Sequence, residues 1–241
     1  TADGAATPTT RLTIDSTGKA TFTADASING VAIGKGANSL GSNTVLGVNA
    51  LDAGVTGDSN TAIGHSVLTN LTSGTFNVGL GARALVSHTT GSQNTACGYA
   101  ALEQQTTASL NTAVGFAALR NSTANNNTAI GHNALLSTSS GGSNTAIGSA
   151  ALDANTTAGN NTAVGFAALG ANTTGTYNVA VGANALDAAT VDNNNVAIGY
   201  AAMTNNNGGE NCTAIGSFAL EENTTANNNT GVGHKALESN T

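Results

Sequence analysis

The chain has no tryptophan, one proline and one methionine in 241 residues, and only 3% of it is aromatic. So small a supply of large side chains argues against the single wide core of an ordinary domain of this length. Charge is equally sparse: six Lys and Arg stand against thirteen Asp and Glu, for a net charge of −7. A chain this acidic, with no basic cluster, is not expected to bind nucleic acid. No apolar run is long enough to span a membrane as a helix, so membrane insertion is not expected either. There is no initiator Met and no signal peptide, and the chain stops in mid-repeat at HKALESNT, so both ends are expected to be boundaries of a processed product.

What is abundant is glycine, and much of it is periodic. A phrase of the form Asn-Thr-Ala-(Ile/Val)-Gly recurs with its glycine at Gly34, Gly47, Gly64, Gly81, Gly98, Gly115, Gly131, Gly148, Gly165, Gly182, Gly199, Gly216 and Gly233. Ten of the twelve steps equal that from Gly47 to Gly64; the step from Gly115 to Gly131 is one residue shorter, and the first, Gly34 to Gly47, is four shorter. A period this short and regular means one unit stacked on itself. It also rules out the disorder that low charge with much Asn and Thr would otherwise suggest.

Each column of the repeat follows a rule. Four places before the glycine stand Asn43, Asn60, Asn77, Asn94, Asn111, Asn127, Asn144, Asn161, Asn178, Asn195 and Asn229, with Gly30 and Cys212 as exceptions. Asn and Gly both tolerate a left-handed backbone, so this column is expected to be a tight turn with positive φ. Then come Thr or Val, a small residue (Val45 excepted), an aliphatic residue or Cys97, and the glycine. This alternation is a strand with one bulky and one nearly bare face. Three and four places after the glycine stand Ala and Leu in almost every copy, followed by a stretch rich in Asn, Thr, Ser and Gly that reads as a polar outer turn.

The expected architecture is therefore all-β, a parallel β-roll or β-solenoid of about 13 coils, one coil per repeat and roughly 60 Å long at about 4.8 Å per coil. Residues 30–241 form the repetitive fibre domain. Residues 1–29 stand apart: RLTIDSTGKATFT, Arg11 to Thr23, places two alternating runs around Ser-Thr-Gly, a β-hairpin serving as connector or cap. Cys97 and Cys212 lie seven coils apart, beyond disulfide reach; Cys97 is expected to be a buried small hydrophobe and Cys212 a free thiol. Each coil buries only about two large apolar side chains, so chains are expected to pack together along the bare Ala/Gly face as a homo-oligomer.

Runs such as NTAIGHNAL, NTAVGFAAL and NVAIGYAAM resemble the head repeats of trimeric autotransporter adhesins, the YadA-like β-roll, and related repeats in phage tail fibres. The match runs from Gly30 to about Leu237. It departs in length, since the repeat of the adhesin heads is three residues shorter; the extra residues fall in the polar turn. The resemblance implies a left-handed roll and a homotrimer. The N-terminal hairpin resembles connectors before tail-fibre repeats and tilts the reading to a virion tail fibre over a bacterial cell-surface adhesin. The implied function is a structural or adhesive fibre that spaces or contacts a host receptor, glycan or protein, through multivalent polar turns. Other virion tail proteins are the further partners. The alternative from another class is a tailspike-like enzyme that degrades surface polysaccharide.

No cofactor, metal or catalytic residue is assigned. His65, His132 and His234 share the column after the glycine and could meet across a threefold axis, but they lie four to six coils apart within a chain. Asp52, Glu103, Asp153, Asp187, Glu221 and Glu238 share another column, and only Glu221 and Glu238 fall on neighbouring coils. A glycosidase pair or a calcium site would need such grouping; a solvated edge that discourages aggregation explains it more simply. The Thr column raises ice binding, which is set aside because a β-branched column shared with Val and Ile is expected to be buried.

Overall fold

The computed structural model describes residues 12–18, 20–22, 25–36 and 42–240. Among them there is no helix. Strands β1 (Leu12–Ile14) and β2 (Ala20–Phe22) pair antiparallel, with Leu12 opposite Phe22 and Ile14 opposite Ala20. The turn between them closes with the Gly18 amide on the Asp15 carbonyl at 3.0 Å, and the Thr17 amide on the Asp15 carboxylate at 2.9 Å. The expected hairpin is present; Arg11, Lys19 and Thr23 lie outside the described residues.

The remaining strands form one fourteen-stranded sheet. From β5 (Thr44–Gly47) through β6 (Thr61–Ile63) to β16 (Thr230–Val232) every neighbour is parallel and in register, Thr128 beside Thr145 and Ile130 beside Ile147. Twelve such strands make eleven turns of a solenoid. The expected count of thirteen coils fails at the start. The Gly34 phrase is β4 (Val31–Gly34), which runs antiparallel to β5 and to β3 (Ala26–Ile28). The shortened first step, Gly34 to Gly47, leaves too little chain for a circuit, and β4 with β3 covers the edge of the first coil instead. Asp25 fixes this junction by accepting the amides of Lys35 (2.8 Å) and Gly36 (2.5 Å). The Ala37 and Asn38 members of their columns lie outside the described residues.

Inside each coil the two strand faces are the reverse of what was expected. The small column points in: Ala62, Ala96, Ala113, Ala129, Ala146, Ala163 and Ala180 are all 0% exposed. Against it packs the Leu column, Leu51 to Leu220, also 0% exposed, with Met203 in place of one Leu. A flattened coil is too thin for two rows of large side chains, so one wall is Leu and the other Ala. The bare face is thus the inner wall of the coil and is not free to contact another chain.

One pair of coils shows how tightly this is fitted. Val67 replaces Ala on one wall and Gly79 replaces Ala on the other. A Cβ placed on Gly79 would collide with Val67 Cγ1. Gly79→Ala alone is expected to cost about 1–3 kcal/mol by overpacking, and Val67→Ala alone about 1–2 kcal/mol by leaving a void. The double variant should recover most of the loss, a coupling that denaturant melts of the four proteins would measure.

The Asn column is not the positive-φ position. Left-handed residues stand one place earlier, as at Ser143 (φ 60°), Asn160 (φ 61°) and Tyr177 (φ 60°). Two more fall in every coil after the glycine, for example Ala150 (φ 55°) and Leu152 (φ 52°). A left-handed conformation costs a non-glycine residue roughly 1–2 kcal/mol. It persists because the backbone hydrogen bonds to the coils on either side fix it: the Leu152 amide bonds the Ala168 carbonyl at 3.1 Å, and the Ala150 amide bonds that of His132 at 2.9 Å.

Candidate functional site: two internal ladders and the outward sheet face

The Asn side chains are buried, between 0% and 4% exposed from Asn43 to Asn195. Each amide serves two buried backbone groups. Asn144 Oδ1 accepts the Asn161 amide at 3.0 Å, while Asn144 Nδ2 donates to the Ala158 carbonyl at 2.9 Å. The same pair of bonds recurs at Asn127, Asn161 and Asn178. Asn is required because one side chain must both accept and donate. This corrects the turn assignment: the ten asparagines from Asn43 to Asn195 join coils, Asn229 in the last coil donates to Asn223 Oδ1 and the Ala226 carbonyl of its own coil, and the bend lies beside the column.

A second buried ladder runs through the stretch that reads in sequence as an outer turn. His88, Gln105, Ser122, Thr138, Asn155, Asn172, Asn206 and Asn223 are all 0% exposed. Most donate to the carbonyl three residues on, as Asn155 does to Ala158 (3.1 Å) and His88 Nε2 does to Gly91 (2.9 Å). Burial pushes the His88 imidazole below its ordinary pKa, so it is held neutral, with the Gly91 contact opposing the shift. His88 is the one histidine that the sequence pattern does not single out. Its column mixes too many residue types to show as a column.

The singled-out residues are placed as follows. His132 is exposed and stacks on Phe116, which stacks on Tyr99, with 5.3 Å between centroids at each step. His234 meets Phe218 edge-on at 6.1 Å, and His65 is exposed. Glu103 is 3% exposed and lies between Arg83 and Arg120 from the adjacent coils, an ion-paired clamp. Asp153 and Asp187 flank Gly170; burial raises both carboxyls, and for Asp187 the charge of Asp153 adds to the shift. Asp52 is exposed. Glu238 is bound to Lys235 at 2.6 Å and Glu221 also acts on that lysine, so the one neighbouring pair serves a surface ion pair. No group of three or more possible metal ligands exists among the described residues. Cys97 and Cys212 are free; Cys97 is half-buried in the outward aliphatic column, not buried as expected, and Cys212, buried in the Asn column, receives the Asn229 amide on its sulfur at 3.5 Å.

What remains is the outward face of the sheet. Thr or Val alternates there with Ile, Val or Leu, and the aliphatic column is far from buried: Ile130 and Ile147 are 38% exposed, Leu80 44% and Val232 66%. Phe76, Leu110 and Tyr177 extend the face on one side, and Tyr99, Phe116, Phe166 and Tyr200 on the other. From β5 to β16 no charged residue stands in the three columns that end at the aliphatic position. The strand threonines, such as Thr128 and Thr145, make no hydrogen bond through their hydroxyls among the described residues. Turn threonines differ, since Thr89 and Thr173 donate to the next coil's carbonyl at 2.9 Å. Thr128 and Thr145 are half-buried and Thr44 and Thr230 exposed, so the expectation of a buried threonine column is overturned. No protein-family model, curated protein or solved structure matches the chain.

Proposed function

We propose that the chain is a segment of a fibrous attachment protein, a virion tail fibre, in which three copies pack through the outward sheet faces. The observation that carries this reading is the charge-free outward face, with its exposed aliphatic column beside the threonines and its flanking exposed aromatics. It is roughly 50 Å long at about 4.8 Å per strand, and extended exposed apolar surface marks a site of association. Threefold packing is taken from the resemblance of the repeats to YadA-like heads and tail-fibre repeats. In such a rod the polar turns point outward in three copies, and weak contacts to a host glycan or protein receptor gain from multivalency.

The test is a host-cell and glycan-array binding assay with the assembled rod. Binding lost on substituting exposed turn residues, such as Thr157 and Thr174, would assign contact to the turns; a rod that binds nothing is a spacer. Release of sugar from surface polysaccharide would replace the fibre reading with the tailspike one. A second reading rests on the free hydroxyl rows: a monomeric chain could use the Thr and Ile columns to order water at an ice surface. A monomer showing thermal hysteresis would favour it.

A further inference from the structure

From Asn155 onward the second internal ladder is built of asparagines and breaks at one place. Along this stretch the side-chain amides donate to the previous coil: Asn155 Nδ2 to Thr138 Oγ1 at 3.3 Å, Asn172 Nδ2 to Asn155 Oδ1 at 3.4 Å, Asn223 Nδ2 to Asn206 Oδ1 at 2.9 Å, Asn240 Nδ2 to Asn223 Oδ1 at 3.1 Å. Between Asn172 and Asn206 the position belongs to Ala189, which has no amide. Asn206 has turned to another acceptor, Asp192 Oδ2, at 2.8 Å. Asp192 itself stands where the other coils carry Gly or Ala, as at Gly141, Ala158, Gly175 and Gly209. A carboxyl has entered the space that the missing amide left.

The break leaves two buried oxygens without a donor, Asn172 Oδ1 and Asp192 Oδ1. Asn172 is 0% exposed and Asp192 1%. By accepting the Asn206 amide, the Asp192 carboxyl takes the ladder position whose donor would face Asn172 Oδ1, and the Asp192 backbone and Asn172 Oδ1 both border Gly175. Two unpaired acceptors on adjacent coils are costly, and one proton relieves both.

We propose that Asp192 is a proton-binding joint of the rod: its Oδ1 carries a hydrogen donated to Asn172 Oδ1, while Oδ2 keeps the Asn206 amide, so a neutral carboxylic acid replaces the missing amide of the ladder. The surroundings agree. Burial raises the Asp192 carboxyl above its ordinary 3.8, opposed by the Gly208 amide and the Asn206 amide, and the charge of Glu210 on the next coil raises it further. No cation is among the groups acting on it. Ionisation leaves a buried carboxylate beside Glu210 and an unpaired Asn172 oxygen, and loosens the coil between Gly182 and Gly199.

For a carboxyl raised on folding, the stabilisation is complete below the unfolded value and is lost as pH rises through the folded one. The test compares wild type with Asp192→Asn, which offers the same acceptor and a permanent donor. Its melting midpoint should equal that of wild type at pH 3 and exceed it by roughly 2–4 °C at pH 8. Amide exchange protection over residues 186–199, corrected for intrinsic rates, should fall with pH in wild type alone, about tenfold per unit of raised pKa. The double variant Ala189→Asn/Asp192→Gly rebuilds the regular ladder and should follow Asp192→Asn. It carries the test if the single variant misfolds. A midpoint difference that does not change with pH, or an Asp192→Asn protein less stable than wild type at pH 8, would overturn the proposal.

Discussion

Gly148→Ala is expected to break the solenoid in two. The Gly148 φ of 141° lies in a region that only glycine occupies at low cost, and a Cβ built there would collide with the Gly165 carbonyl of the next coil. Neither problem can be solved by a rotamer change, because backbone meets backbone. Overpacking and strain together should cost about 4–6 kcal/mol. In a stacked array this loss falls on one interface between coils. Hydrogen exchange should therefore show amides near residues 145–165 opening well before those at 95–115, while an alanine at the exposed Ser149 changes little. Uniform protection along Gly148→Ala would contradict the stacking account.

Replacing Ile130 and Ile147 with Glu should instead leave each coil folded and dissolve the assembly. Both side chains are 38% exposed and point away from the Ala and Leu rows, so the coil interior does not depend on them. Two carboxylates per chain in an apolar interface would each cost about 3 kcal/mol or more, over a hundredfold in association constant apiece. The expected result is an unchanged far-ultraviolet circular dichroism spectrum with a mass reduced to that of one chain. Loss of the β signal together with the mass would place these residues in the coil's own core, and the interface reading would be wrong.

The repeat, the parallel in-register strands and the Leu row were legible because each depends on one residue type in one column. The orientation of the strand was not. Alternation of Thr, Ala and Ile defines two faces but does not say which points inward; that is decided by the room left opposite the Leu row, a property of the closed coil. Asn was legible as obligatory but not in its role, since left-handed turns and buried amide ladders both select it. The second ladder was hidden because His88, Gln105, Thr138 and Asn155 share a depth of burial and not a chemistry. The fault at Ala189 and Asp192 shows only once the column is known to be inside.

The proposed association of chains through the outward face is tested most directly by light scattering on the purified protein at micromolar concentration. The account predicts three times the 23.3 kDa mass of one chain, falling to a single chain in the Ile130→Glu/Ile147→Glu variant. A wild-type protein that keeps its β-sheet spectrum and scatters as one chain of 23.3 kDa would contradict it.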